Sequence, residues 1–148
     1  MPEKVASNST KLYVGCSLSH ASEAFKNSVE DFKRGLRNEG YEVFDFVGLV
    51  AGTAKDVYNW DIQHCVGECD AFIAICDEPS IGLGWELSKA QQLRKRVLAL
   101  AHTDAKVTRM LLGAAEVEPN VRLERYKELT DVIPLVAELL AEPVIREV

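Results

Sequence analysis

Two acidic side chains are the residues of this sequence best suited to chemistry. Glu86 closes the stretch Pro79-Ser-Ile-Gly-Leu-Gly-Trp-Glu86, and Asp61 stands in Val57-Tyr-Asn-Trp-Asp-Ile62. Two carboxylates reaching one crevice supply what scission of a glycosidic bond requires. One is ionised, to attack or stabilise the anomeric carbon; the other is protonated, to help the leaving group depart. Singly, each has a plainer explanation. An acid in the first turn of a helix complements the helix dipole by about 0.3–1 kcal/mol, which would account for Glu86. Asp61 alone reads as an exposed helical acid. Gly82 and Gly84 let the backbone come close to a ligand at a helix start. Convergence is what gives the pair chemical meaning, so the question passes to the elements that position it.

Short apolar runs alternate with segments of helical period. Lys11 to Cys16 reads as a strand. Phe25, Val29, Phe32 and Leu36 then mark a helix that Ser19 or Ser22 can cap and Gly40 ends. Tyr41 to Phe46 alternates as a second strand, and Val47 to Ala54 reads as a loop. Tyr58, Ile62, Cys65, Val66 and Cys69 form the apolar stripe of a second helix. Ala71 to Cys76 is continuously apolar, as a central parallel strand buried on both faces must be. A turn-rich loop is expected from Asp77 to Gly84, then a helix from Trp85 to Arg94 with Leu87, Ala90 and Leu93 inward. Val97 to Ala101 is a further buried strand, Val107 to Leu112 a short helix and Val121 to Glu124 an edge strand. The last helix begins near Asp131, with Pro134 in its first turn.

Strands alternating with helices imply right-handed crossovers and a three-layer α/β sandwich. The expected fold is flavodoxin-like: a five-stranded parallel sheet of order 2-1-3-4-5 with helices on both faces. Ligands bind such sheets beyond the carboxyl ends of the strands, at the switch between strands one and three. Gly15 to His20 and Asp77 to Glu86 should meet there.

The chain has 148 residues, 47% hydrophobic and 27% charged, with a formal net charge of -6. That length fits one domain, expected over residues 11–148 behind a disordered leader at 1–10, since domains run about 100–200 residues. No apolar run approaches the roughly 18 residues of a membrane span, and the leader lacks the apolar core of a secretory signal. A mild acidity argues against a surface for nucleic acid polymers. The expected location is cytoplasmic. The four cysteines, Cys16, Cys65, Cys69 and Cys76, form no CxxC pair and read as core residues, not a metal site. Among nucleotide-binding motifs, GxGxxG fails because Gly15-Cys-Ser-Leu-Ser-His20 offers a single glycine, and no GxxxxGK[ST] occurs. A phospho-accepting receiver would suit Asp77 and Thr103, but Ser17 and Ser19 stand where it needs magnesium-binding acids.

Leu12-Tyr-Val-Gly-Cys-Ser17, Tyr58-Asn-x-Asp61, Cys69-Asp-Ala-Phe-Ile-Ala74 and Pro79-Ser-Ile-Gly-Leu-Gly-x-Glu-Leu87 together resemble the nucleoside 2-deoxyribosyltransferase superfamily. Within it the chain looks most like the 2'-deoxynucleoside 5'-phosphate N-hydrolase branch, from about Lys11 to Leu140. The resemblance implies that Glu86 is the nucleophile and Asp61 the acid that protonates the departing base, Tyr13 lying beside sugar and nucleophile. It further implies that Ser17, Ser80 and Thr108 hold the 5'-phosphate, Thr108 from a neighbouring copy in a homodimer or higher homo-oligomer. Ser19 falls where that branch has an Arg, so a bidentate anchor is replaced by a hydroxyl. Ser80 stands where the transferase branch places an acid, which favours a nucleotide over a nucleoside.

The expected activity is thus cleavage of the base–sugar bond of nucleoside 5'-monophosphates through a glycosyl-Glu86 ester, with Asp61 kept protonated by burial and by the nearby negative charge. This chemistry calls for no metal or cofactor. Base exchange between nucleosides and a non-catalytic nucleotide-binding module remain as alternatives.

Overall fold

The computed structural model describes residues 9–45 and 52–143. Most of the expected leader, Phe46 and most of the loop expected from Val47 lie outside the described residues, as do residues 144–148.

In chain order the elements are β1 (Lys11–Cys16), α1 (Glu23–Asn38), β2 (Glu42–Phe44), α2 (Ala54–Tyr58) running into a π-helical segment (Asn59–Val66), β3 (Ala71–Ile75), α3 (Ile81–Gln92), β4 (Arg96–His102), α4 (Arg109–Val117), β5 (Val121–Tyr126), a 3-10 turn (Leu129–Val132) and α5 (Ile133–Ala141). The sheet order is β2-β1-β3-β4-β5, and every pairing is parallel. The flavodoxin-like expectation holds.

The period-two alternation of the strands divides the core. Leu12, Val14, Ile73, Leu98 and Leu100 pack under Phe32, Leu36 and Val136 of α1 and α5. On the other face Tyr13, Phe72 and Ala74 meet Ile62, Cys65 and Val66 of the π-helical segment and Leu83 and Ala90 of α3. All of β3 is buried. Tyr13 and Gly15 therefore look toward the elements that carry Asp61 and Glu86.

Caps set the boundaries. The Ser22 hydroxyl accepts the Phe25 N–H at 3.0 Å to open α1, and Gly40, at φ 102°, takes the left-handed turn that closes it. The sequence expectation fails at α3. This helix begins at Ile81, not Trp85, because Ser80 accepts the Leu83 N–H at 3.2 Å and caps it. Burial of Leu83 outweighs the low helix propensity of Gly82 and Gly84. The earlier start moves the inward stripe to Leu83, Glu86 and Ala90, with Leu87 partly buried; Leu93, expected inward, is the exposed C-cap. Tyr58 is likewise exposed, since α2 buries none of its residues.

Strand β2 is shorter than expected, while α4 and β5 extend beyond their expected ends. Asp77 is a structural tie: it accepts the Tyr126 hydroxyl at 2.6 Å and the His102 N–H at 3.1 Å, joining the end of β3 to β4 and β5. Among the described residues no helix is long and apolar enough to cross a membrane.

Candidate active site

Glu86 lies in the second turn of α3, so the dipole explanation for an acid in the first turn does not apply to it. The side chain points at the sheet and is 8% exposed. There the Tyr13 hydroxyl donates to Glu86 Oε2 at 2.8 Å. Phe72 of β3 stacks on the Tyr13 ring, centroids 5.1 Å apart. Gly15 makes room for the carboxylate: a Cβ there would stand 3.1 Å from Glu86 Oε1 and 3.0 Å from the Phe72 ring. Sequence reasoning left Gly15 and Phe72 without a role. The signal for Gly15 was its place in an otherwise apolar strand, where glycine marks a close approach.

These surroundings set the electrostatics. Burial raises the Glu86 pKa to about 7, against the opposing pull of the Tyr13 hydrogen bond and with a further rise from the charge of Asp61. Burial, followed by the charges of Glu86 and Asp61, holds the Tyr13 phenol above its ordinary range, so it stays a hydrogen-bond donor.

Asp61 sits on the π-helical segment, a rare geometry that recurs at functional sites. It shares with Glu86 a hollow of about 470 Å³, which Gly82, Tyr58 and Trp85 also line. Such a volume falls in the range of small-ligand sites. Tyr58 and Trp85 meet edge-on, ring centroids 6.5 Å apart, and leave much of both rings exposed. Burial, expected at Asp61, falls instead on Glu86, and Asp61 is half-buried. The reason is the early start of α3, which turns Glu86 onto the sheet.

A second hollow, about 380 Å³, opens on the other side of the first turn of α3. Ser80, Gly84 and Thr108 line it, with Lys106 and Glu78 bringing opposite charges. Ser80 and Thr108 are the N-caps of α3 and α4, the latter accepting the Met110 N–H at 3.2 Å. Each hydroxyl accepts from the backbone and keeps its own proton to donate, at helix ends that favour anions. Ser17 and Ser19 follow β1, half-buried and exposed respectively, and line neither hollow. Asp61, Gly82 and Glu86, with Tyr13, thus form one group, and Ser80, Gly84 and Thr108 another. Among the described residues no cluster of three or more His, Cys, Asp or Glu could hold a metal ion.

No family model matches the chain. It is 33% identical over 103 residues to a protein of Syntrophotalea carbinolica named as a 2'-deoxynucleoside 5'-phosphate N-hydrolase, the match covering 68% of each chain. A 5-hydroxymethyl-dUMP N-hydrolase of Danio rerio is 31% identical over 75 residues, half of this chain and 52% of that one. Among solved structures, a CMP N-glycosidase of Clostridium botulinum superposes with a TM-score of 0.67 at 21% identity, covering 87% of this chain and 99% of that one. A 2-deoxyribosyltransferase of Bacillus psychrosaccharolyticus gives 0.63 at 20% identity, covering 94% and 100%. The two structural likenesses establish the fold, and the sequence match goes further: this chain belongs to the 2'-deoxynucleoside 5'-phosphate N-hydrolase family.

Proposed function

We propose that this chain hydrolyses the base–sugar bond of nucleoside 5'-monophosphates by double displacement at the anomeric carbon. The observation that carries the reading is the buried Glu86 carboxylate, held by Tyr13, on the same hollow as Asp61. Ionised Glu86 attacks the anomeric carbon as the base departs through an oxocarbenium-like transition state, giving a glycosyl ester. The C–N bond breaks with its electron pair on the base, which takes a proton from Asp61. The Asp61 carboxylate then deprotonates a water that opens the ester and releases the sugar phosphate.

Burial by itself favours the proton on Glu86, the reverse of what attack needs. Two features support its transfer. The Tyr13 hydrogen bond favours the Glu86 anion, and a base seated against the exposed surfaces of Tyr58 and Trp85 would dry the surroundings of Asp61 and favour its acid form. The two carboxylates then titrate as a coupled pair.

The Ser80 and Thr108 hydroxyls, at two helix N-termini, are the groups read as 5'-phosphate donors; Ser17 and Ser19, read from the sequence as further phosphate contacts, follow β1 outside that hollow. The family resemblance has Thr108 come from a second copy of the chain. The exposed Met110 and Ile81, near the same hollow, would lie in such a homodimer interface.

The test is incubation with dGMP, CMP, 5-hydroxymethyl-dUMP and the matching nucleosides, with and without adenine as acceptor. Free base released from nucleotides without acceptor is expected; a strict acceptor requirement would instead make the chain a transferase. Glu86→Gln should lower turnover at least about a thousandfold while nucleotide binding persists. Mass spectrometry of the quenched reaction should find the sugar phosphate on the peptide containing Glu86.

A further inference from the structure

Behind Asp61 lies a network that the mechanism so far does not use. Asp45 directly follows β2. Its carboxylate accepts from Lys33 Nζ at 3.0 Å and, through both oxygens, from Arg37 at 3.2 Å, which fixes it against α1. Its main-chain oxygen serves the other neighbour. It accepts the Trp60 indole N–H at 2.8 Å, with the Cys65 thiol at 3.8 Å. The Trp60 ring stacks on His64 at 4.2 Å, and His64 packs on Phe44 of β2 at 4.8 Å.

Trp60 and Cys65 bracket Asp61 on the π-helical segment, so the turn bearing the carboxylate is tied to the end of β2 from both sides. A π-helical turn is uncommon and needs such support from its surroundings. Trp60 itself does not line the hollow.

We propose that Trp60, through its indole N–H on the Asp45 carbonyl, is a positioning residue that fixes Asp61 for protonation of the departing base. The inference rests on the reading of Asp61 as the acid. It has a chemical signature that a general structural role lacks. An ordinary base must gain a proton as the C–N bond breaks. A base that already carries a positive charge leaves as a neutral molecule without one, and a more acidic base needs less help. Loss of the Trp60 hydrogen bond should therefore harm the first kind of substrate selectively.

The experiment compares the wild-type chain, Trp60→Phe, a chain with 3-benzothienylalanine at position 60 (indole shape without the N–H) and Asp61→Asn. The substrates are two pairs, dGMP with 7-methyl-dGMP and dUMP with 5-fluoro-dUMP, corrected for spontaneous cleavage. Both Trp60 replacements are expected to lower kcat on dGMP and dUMP by about ten- to a hundredfold, with KM little changed. Cleavage of 7-methyl-dGMP should stay within about threefold of wild type, which also reports a folded site, and 5-fluoro-dUMP should fall between. Asp61→Asn should show the same selectivity more strongly. Equal losses on both members of a pair, or no loss at all, overturn the positioning role while leaving a selective Asp61→Asn intact. An Asp61→Asn effect without selectivity, or a wild-type chain that cleaves none of the four, overturns the acid assignment and this inference with it.

Discussion

At Glu86 burial and hydrogen bonding oppose each other. Removal from water disfavours the anion, and the Tyr13 hydroxyl favours it; burial wins, which raises the pKa to about 7. If the ionised form is the nucleophile, the acid limb of kcat/KM should fall at about that pH, and Tyr13→Phe, which removes the stabilising donor, should move the limb upward. A hydrogen bond to a charged group is worth about 1.5–3 kcal/mol, so the displacement should be roughly one to two pH units. The same shift has a consequence for folding. Glu86 binds its proton more tightly in the folded chain than in the unfolded one, so the stability present at low pH is lost as the pH rises through about 7. Glu86→Gln cannot ionise. Its advantage over wild type in urea unfolding should be small at pH 4, grow between the ordinary value of 4.5 and about 7, and level off above, at most on the order of 3 kcal/mol. An advantage that is flat with pH would show that the buried charge is not its source.

At the scale of elements, Ser80 does two things with one hydroxyl: it caps α3 and, in the proposed site, it faces the phosphate. The two roles separate by substitution. Ser80→Ala should lose about 1 kcal/mol of stability with the cap and also raise KM for the nucleotide. Ser80→Asp, a good cap, should keep near-wild-type stability in the same urea titration but repel a phosphate, so that KM rises for the nucleotide and not for the nucleoside. Equal effects on nucleotide and nucleoside would remove Ser80 from the phosphate site. This position also marks where the sequence was legible and where it was not. Strand runs such as Ala71 to Ile75 announced themselves, because a strand buried on both faces has no polar position. The start of α3 did not: two glycines in four residues look like a loop, and only the packing of Leu83 onto the sheet makes them helical. The Glu86–Asp61 pair could be named from residue types and spacing. Which of the two is buried could not, since that followed from where the helix began, and the Asp45 carbonyl beneath Trp60 has no sequence signature because any residue carries one.

For the whole molecule, the proposed homodimer can be tested by asking which copy of the chain supplies the Thr108 hydroxyl. Within one chain Thr108 and Ser80 already line the same hollow, yet the family resemblance has the Thr108 hydroxyl cross to a neighbour, and Met110, 82% exposed, gives that face an apolar residue to bury. Mixing two variants decides it. On the proposed mechanism Glu86→Gln should silence its own site whatever its partner does, and Thr108→Ala should weaken whichever site its hydroxyl serves. In a homodimer with donation across the interface, a mixed dimer regains one intact site, formed by Glu86 of one copy and Thr108 of the other. Random exchange of equal amounts makes half the dimers mixed, so activity should return to roughly a quarter of wild type, with KM restored to the wild-type value in that fraction. If the hydroxyl instead serves its own chain, no combination contains an intact site, and the mixture shows only the raised KM of Thr108→Ala at half its amount. Met110→Glu supplies the control. Charge on the apolar face should shift the protein to monomer in light scattering and abolish the recovery, whereas a monomeric Met110→Glu chain that keeps wild-type kcat/KM without the other two substitutions would rule out a shared site.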